Sequence, residues 1–192
     1  CEHPEYELDL KLMEYQSLKK QLKEEKIDAI LFNDLDMTIS ENFHTLELMQ
    51  NETILLYNPL IEKWAHKETL TIDDFKDADF ICIRPSLVPG YQTALLRCCK
   101  AHHFTPNISK YADSVIEMVQ YISNSQYVTI LSKAIFPFQS SDLSTFTIPY
   151  KEGMPVLKSI LAWREDHDNP ALHLFTDYAE NYLSKLNCKD KQ

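Results

Sequence analysis

Between residues 6 and 32 the hydrophobic period of this chain changes twice, and few folds accommodate that. Tyr6, Leu8, Leu10 and Leu12 alternate with Glu7, Asp9 and Lys11, the period-two pattern of a half-buried strand that runs to about residue 15. Ser17 then stands as a helix N-cap ahead of Leu18 and Leu22, which fall four apart on one helical face. Residues 27–32 (IDAILF) are almost wholly apolar, as a strand is when crossover helices cover both its faces. Strand, helix, buried strand is a βαβ unit, so the chain is expected to open inside an α/β domain.

Length allows one large domain or two small ones that share a core: 192 residues, 44% hydrophobic and 25% charged, an ordinary globular balance. No apolar run approaches the ~20 residues of a membrane helix, and no basic-then-apolar leader opens the sequence, so neither a membrane partner nor a signal peptide is expected. Cys1, Cys82, Cys98, Cys99 and Cys188 are odd in number and irregular in spacing. That points to a reducing, cytoplasmic compartment rather than a disulfide framework. The net charge of −10 repels phosphate backbones, so this segment is not expected to hold DNA or RNA itself. Gly90 and Gly153 are the only glycines, which excludes Gly-rich phosphate loops. No cofactor is expected.

Further along, residues 43–49 and 53–57 are strand-like, and Asn58-Pro59 marks a turn. Thr71-Ile72-Asp73-Asp74 and Ser114-Val115-Ile116-Glu117 have capping-box spacing and start helices. Residues 80–83 (FICI) form a second buried strand that ends at Arg84-Pro85. A helix follows Gly90 to about His103, and residues 106–111 are extended. Residues 127–131, 146–149 and 156–163 are strands, and Asn169-Pro170 opens a last helix. Strand and helix alternate, with no internal repeat.

Four stretches also carry a family likeness. Glu2-His3-Pro4-Glu5-Tyr6-Glu7-Leu8 is similar to "-hPdvel-". Ser17-Leu18 through Lys26-Ile27-Asp28-Ala29-Ile30 is similar to "s..l...l..g.iDlai". Leu95 through His103-Phe104-Thr105-Pro106 is similar to "l...l...Gf.P". Tyr178 to Leu183, after Asn169-Pro170, is similar to a closing helix. In this order, over nearly the whole chain, they resemble the effector-binding domain of LysR-type transcriptional regulators. The resemblance implies an α/β fold of the type 2 periplasmic-binding-protein kind, two lobes joined by two crossing strands near residues 54–58 and 148–156. Lobe one would take 1–56 plus 150–192, and lobe two 57–149. The family has a strand and helix ahead of the point where this sequence begins, the strand central in lobe one. The lobe-one sheet is therefore expected to be rearranged, or to take a strand from another chain. Ser123-Asn124-Ser125-Gln126 stands where the family has glycines, which is expected to alter the cleft on the lobe-two side.

In open α/β sheets ligands bind beyond the carboxyl ends of strands, near helix N-termini. Arg84, Ser86, Gly90, Tyr91, Gln92 and Thr93 cluster at one such end. Arg84 can hold a carboxylate or phosphate bidentately, so a small anionic effector is expected; the competing reading is a surface arginine paired with an acidic side chain. Asn33 and Asp34 follow the other buried strand and face the cleft by the same rule, or form a plain polar loop. Ser114 is a ligand contact or, as its spacing explains, a helix cap. Cys98, Cys99, His102 and His103 have helical metal-ligand spacing, but no second cluster completes four ligands, and core cysteines with a helix-end imidazole explain them. The acidic groups 73–79 and 165–168 favour helix starts and share no evident pocket. Trp64 and Trp163 read as core or interface anchors. No metal and no catalysis are expected.

The expected function is ligand sensing in a bacterial transcription regulator, lobe movement being passed to a DNA-binding domain outside these residues. The resemblance further implies a homodimer or higher homo-oligomer. A solute-binding protein or an enzyme on the same two-lobed fold is the alternative.

Overall fold

The computed structural model describes residues 6–13, 15–35, 42–135 and 143–189. In order they form α1 (Tyr15–Lys23), β1 (Ala29–Asn33), β2 (Phe43–Asn51), β3 (Thr53–Tyr57), α2 (Glu62–Ala65), β4 (Asp79–Ile83), α3 (Pro89–Ala101), β5 (Asn107–Ala112), α4 (Val115–Ser123), β6 (Thr129–Ser132), β7 (Ser144–Thr147), β8 (Leu157–Arg164) and α5 (Pro170–Lys189). Two compact units result. Unit 1 is Cys1–Phe32, Thr38–Met49 and Ile160–Gln192, and unit 2 is Asn33–Met37 and Gln50–Ser159. β2 and β8 each begin in one unit and end in the other. The change of unit thus falls before residues 54–58 and after residues 148–156, because β3 is a full member of the sheet of unit 2.

In that sheet β3 pairs antiparallel with β6 on one side and β7 on the other. β4 and β5 pair in parallel. A parallel bridge between Phe80 and Val128 joins the two groups, with Ile81 N–H donating to Val128 O and Val128 N–H to Asp79 O, both at 3.0 Å. All five residues of β3 and all four of β6 are buried, so these strands need apolar side chains on both faces. Phe75, Phe80, Leu55, Leu56 and Ile81 are fully buried, each contributing roughly 1.5–3 kcal/mol of transfer free energy. Trp64 is a core anchor, its ring centroid 5.2 Å from that of Phe75. Thr71 N–H donates to Asp74 Oδ2 at 2.7 Å, and the turn it starts is a short 3-10 helix, Ile72–Phe75.

The sheet of unit 1 runs β1-β8-β2. Leu161, Trp163 and Leu172 form a core there, with Ala29, Leu46 and Leu48 against it. Three expectations fail in this unit. Residues 6–13 take no regular structure, and Leu8, Leu10 and Leu12 are 65%, 82% and 90% exposed. Alternation makes a strand only where another strand meets it, and among the described residues none does. β1 is buried on one face only: Ile30 and Phe32 point inward while Leu31 is 60% exposed. And α1 begins at Tyr15, so Ser17 sits inside its first turn rather than capping it.

α1 and α3 end alike. Lys26 N–H reaches Gln21 O at 2.9 Å and Phe104 N–H reaches Cys99 O at 3.1 Å, the six-to-one bond of a Schellman cap. The residue inside each cap must turn left-handed: Glu25 has φ 59° and His103 φ 65°. These are the two places where the similar motifs carry glycine, which makes that turn without a Cβ clash. Among the described residues no helix is long and apolar enough to cross a membrane.

Candidate functional site

Each of the parallel strands β4 and β5 feeds a helix, α3 and α4 respectively. A strand that feeds a helix ends where that helix begins, so residues after both strands gather at one edge of unit 2 with two helix N-termini. There Arg84 Nε donates to Asp113 Oδ1 at 2.7 Å, the side chains 51% and 63% exposed. Of the two readings open for Arg84, the geometry shows the surface pair. Its terminal nitrogens form a second donor edge of the planar fork. Glu117 N–H donates to Ser114 Oγ at 3.1 Å, and Asp113 N–H to Glu117 Oε2 at 2.7 Å. Ser114 is thus the cap of α4, the returning arm of the box reaching Asp113. Ser86 and Thr93 are exposed, Gly90 is buried, and half-buried Gln92 places Oε1 3.5 Å from the Tyr111 hydroxyl. Ser123-Asn124-Ser125-Gln126 leaves the far end of α4 and precedes β6, at the opposite edge of the sheet from Arg84.

Tyr91 does not present its hydroxyl to solvent. It shares a helical face with Leu95 and Cys98, and that face is buried. Its Oη lies 2.8 Å from Thr129 Oγ1 and 2.9 Å from Ile130 O, and Thr129 Oγ1 donates to Ile81 O at 2.7 Å. Burial pushes the phenol pKa up, so it stays neutral. The group fixes α3 to β6 rather than offering itself to a ligand.

Asn33 and Asp34 part ways. Asp34 is exposed, its N–H donating to Lys158 O at 2.8 Å. Asn33 turns into a polar cluster: its Oδ1 accepts from Asn51 Nδ2 and Ser132 Oγ, both at 3.1 Å, and Asn51 Nδ2 also donates to Ser159 Oγ at 2.9 Å. Beside it lies a hollow of about 10 Å³ lined by Leu35, Thr53, Tyr91, Leu95, Ser132 and Leu157 among others, room for roughly one water. The rule that singles out Asn33 and Arg84, the polar residue after a buried strand, applies equally to Ser132 after residues 129–131. Asn51 and Ser159 carry no comparable signal.

Amides, hydroxyls and one guanidinium suit hydrogen-bonded recognition, not bond making. Cys82 and Cys98 are buried thiols whose pKa values burial pushes up to about 12, which leaves them un-ionised. His102 is buried at the end of α3, its Nε2 3.1 Å from Pro149 O. Among the described residues no three of His, Cys, Asp and Glu come together to hold a metal.

Comparison places this fold. The full-length regulator CbnR superposes with a TM-score of 0.74 at 11% identity, over 90% of this chain and 58% of that one. The effector-binding domain of BenM with its effector benzoate gives 0.68 at 14% identity, over 97% and 82%. That of QuiR in complex with shikimate gives 0.65 at 19%, over 90% and 79%. This chain therefore spans little more than half the length of CbnR, and at these identities the likeness is one of fold. No curated protein matches the sequence. The family model for the LysR substrate binding domain matches residues 2–184. It is a family of regulators and not of enzymes, with the two-lobed periplasmic-binding-protein-like fold, and this chain belongs to it.

Proposed function

We propose that this chain is the effector-sensing domain of a LysR-type transcription regulator, that units 1 and 2 are its lobes, and that its effector is a small carboxylate. The observation that carries this is the edge of unit 2 where β4 and β5 end. Two helix N-termini and the Arg84 guanidinium meet there, and each favours an anion. Benzoate and shikimate, named with two structural neighbours, are both carboxylates. The amide groups of Asn33 and Gln92 supply neutral donors on the same unit for the rest of such a molecule. Asp113 holds Arg84 in place until a ligand carboxylate takes the open edge of the fork.

In the whole protein the sensing domain works as a homo-oligomer, and binding energy that differs between lobe arrangements alters how DNA-binding domains outside this chain are presented. The charge of −10 supports leaving the grip on DNA to those other domains. The test is a thermal-shift screen against small carboxylates, followed by calorimetry on the best one. Binding to the native state raises the melting temperature. Arg84→Ala is expected to weaken binding roughly tenfold or more, the worth of one charge-assisted bond, while leaving the unliganded melting temperature unchanged. Equal affinity in the variant, or no response to any carboxylate, overturns the proposal.

A further inference from the structure

The edge of unit 2 that carries Arg84 holds more negative charge than an anion site needs. Asp113 Oδ1 lies 2.7 Å from Arg84 Nε, and Asp113 N–H donates to Glu117 Oε2 at 2.7 Å, so two carboxylates stand close to one guanidinium. Asp113, by its hydrogen bond and its charge, and Glu117, by its charge, both raise the Arg84 pKa. The two helix starts on this edge also differ. α3 has no acidic residue in its first turn, whereas the first turn of α4 contains Glu117, which already answers the positive pole of that helix. We infer that this edge selects an effector with a single negative charge, Asp113 and Glu117 discriminating against dianions. The inference rests on the carboxylate site proposed above and adds the charge of the molecule that the site takes.

A helix N-terminus carries about half a positive charge, so Arg84 and the two helix poles together bring about two. Asp113 and Glu117 bring the same amount of negative charge, and the edge is close to neutral before a ligand arrives. A monocarboxylate still docks, because the open edge of the Arg84 fork and the free N–H groups at the start of α3 donate to it directly. A second carboxylate on the same molecule would have to be met by another cation. β6 bridges β4 in parallel, so its carboxyl end lies at the same edge, but Lys133, which follows it, is already paired with Glu52, Nζ to Oε2 at 2.5 Å. Ser86, Gln92, Tyr111 and Ser132 on this edge are neutral, so the remainder of the effector meets hydroxyls and amides. A second negative charge placed about 5 Å from one of the two acids weakens binding roughly fourfold even at the dielectric of water.

Calorimetry at low salt on probes that differ by one carboxylate reads this selection. The pairs are benzoate with isophthalate, butyrate with succinate, and the best monocarboxylate of the thermal-shift screen with its dicarboxylate counterpart. Wild type is expected to bind the monocarboxylate of a pair roughly fourfold or more tightly than the dicarboxylate. Asp113→Asn keeps an oxygen acceptor for Arg84 Nε, and Glu117→Gln keeps one for Asp113 N–H, so both remove charge and preserve the hydrogen bonds. In the double variant the dicarboxylate should gain on the monocarboxylate roughly tenfold, and the gain should shrink as salt is added. Asp113→Glu, which retains the charge, should keep the wild-type preference. The ratio within a pair cancels any change in folded fraction. A wild type that binds the dicarboxylate as tightly, or a double variant with an unchanged ratio, overturns charge selection; if Arg84→Ala still weakens binding, the carboxylate site itself stands. An Arg84→Ala protein that binds every probe like wild type, or a wild type that binds none, removes the site and the selection together.

Discussion

In unit 2 the central strands meet side chains on both faces and partners on both edges; in unit 1 the described sheet has β1 at its edge, Leu31 facing outward, and the leucine-bearing residues 8–12 lie outside any strand. Unit 2 holds a core from Ile54 to Met154 that includes fully buried Phe75, Phe80, Cys99 and Met118. In unit 1 Leu22, Ile30, Phe32 and Ala162 are buried, and Leu161, Trp163 and Leu172 form a cluster with three half-buried neighbours, while Phe175, Tyr178 and Tyr182 of α5 are exposed. Burial is what offsets the entropy of ordering a chain. Unit 2 meets that requirement within its own residues. Unit 1 leaves apolar surface of the kind that marks an interaction site.

The widest gap should appear in truncation. Phe80→Ala, which empties a fully buried site beside β5 and β6, is expected to cost about 3–5 kcal/mol, whereas Leu10→Ala should stay within about 0.5 kcal/mol in dilute protein. Urea denaturation of both variants measures the difference. A Leu10→Ala loss as large as that of Phe80→Ala would mean that unit 1 is built as tightly as unit 2.

Acid should act on unit 2 through His102. Burial, helped by the charge of Lys151, lowers its pKa below the ordinary histidine value. The unfolded chain then binds the proton that the fold refuses, so the stability contributed by neutral His102 is present above the unfolded pKa, about 6.5. It is lost as pH falls from there toward the folded pKa. Melting temperatures between neutrality and mild acid should fall less steeply in His102→Gln than in the wild type. Equal slopes would remove His102 as the cause.

The smallest effect concerns the two left-handed caps. His103→Gly in unit 2 relieves a Cβ clash of about 1–2 kcal/mol and adds unfolded-state entropy, for a net gain of roughly 0.5–1 kcal/mol. Glu25→Gly in unit 1 should gain less, because Glu25 also pairs with Arg164 and the substitution removes that contact. Denaturation midpoints rank the two, and a larger gain at Glu25 would reverse the expected order.

The strand at 27–32, read as buried on both faces, exposes Leu31, but most of the order of helices and strands, the strand at 53–57 and the buried strand at 80–83 follow from local periodicity, and so do the caps at Ser114 and Thr71. Each depends on residues within four positions of one another, where chain geometry alone decides contact. The family likeness likewise placed glycine at the two positions that turn left-handed. What needed the tertiary structure were the partners. Arg84 finds Asp113 from 29 positions away, and Asn33 finds Asn51 and Ser132 across 18 and 99. The Tyr91 hydroxyl meets Thr129 and Ile130 because α3 packs on the sheet of unit 2 next to β4. The alternation around Leu10 states only that a strand could form; whether it does depends on a neighbouring strand, and hydrogen bonds across a sheet are made between residues that periodicity within one segment never relates.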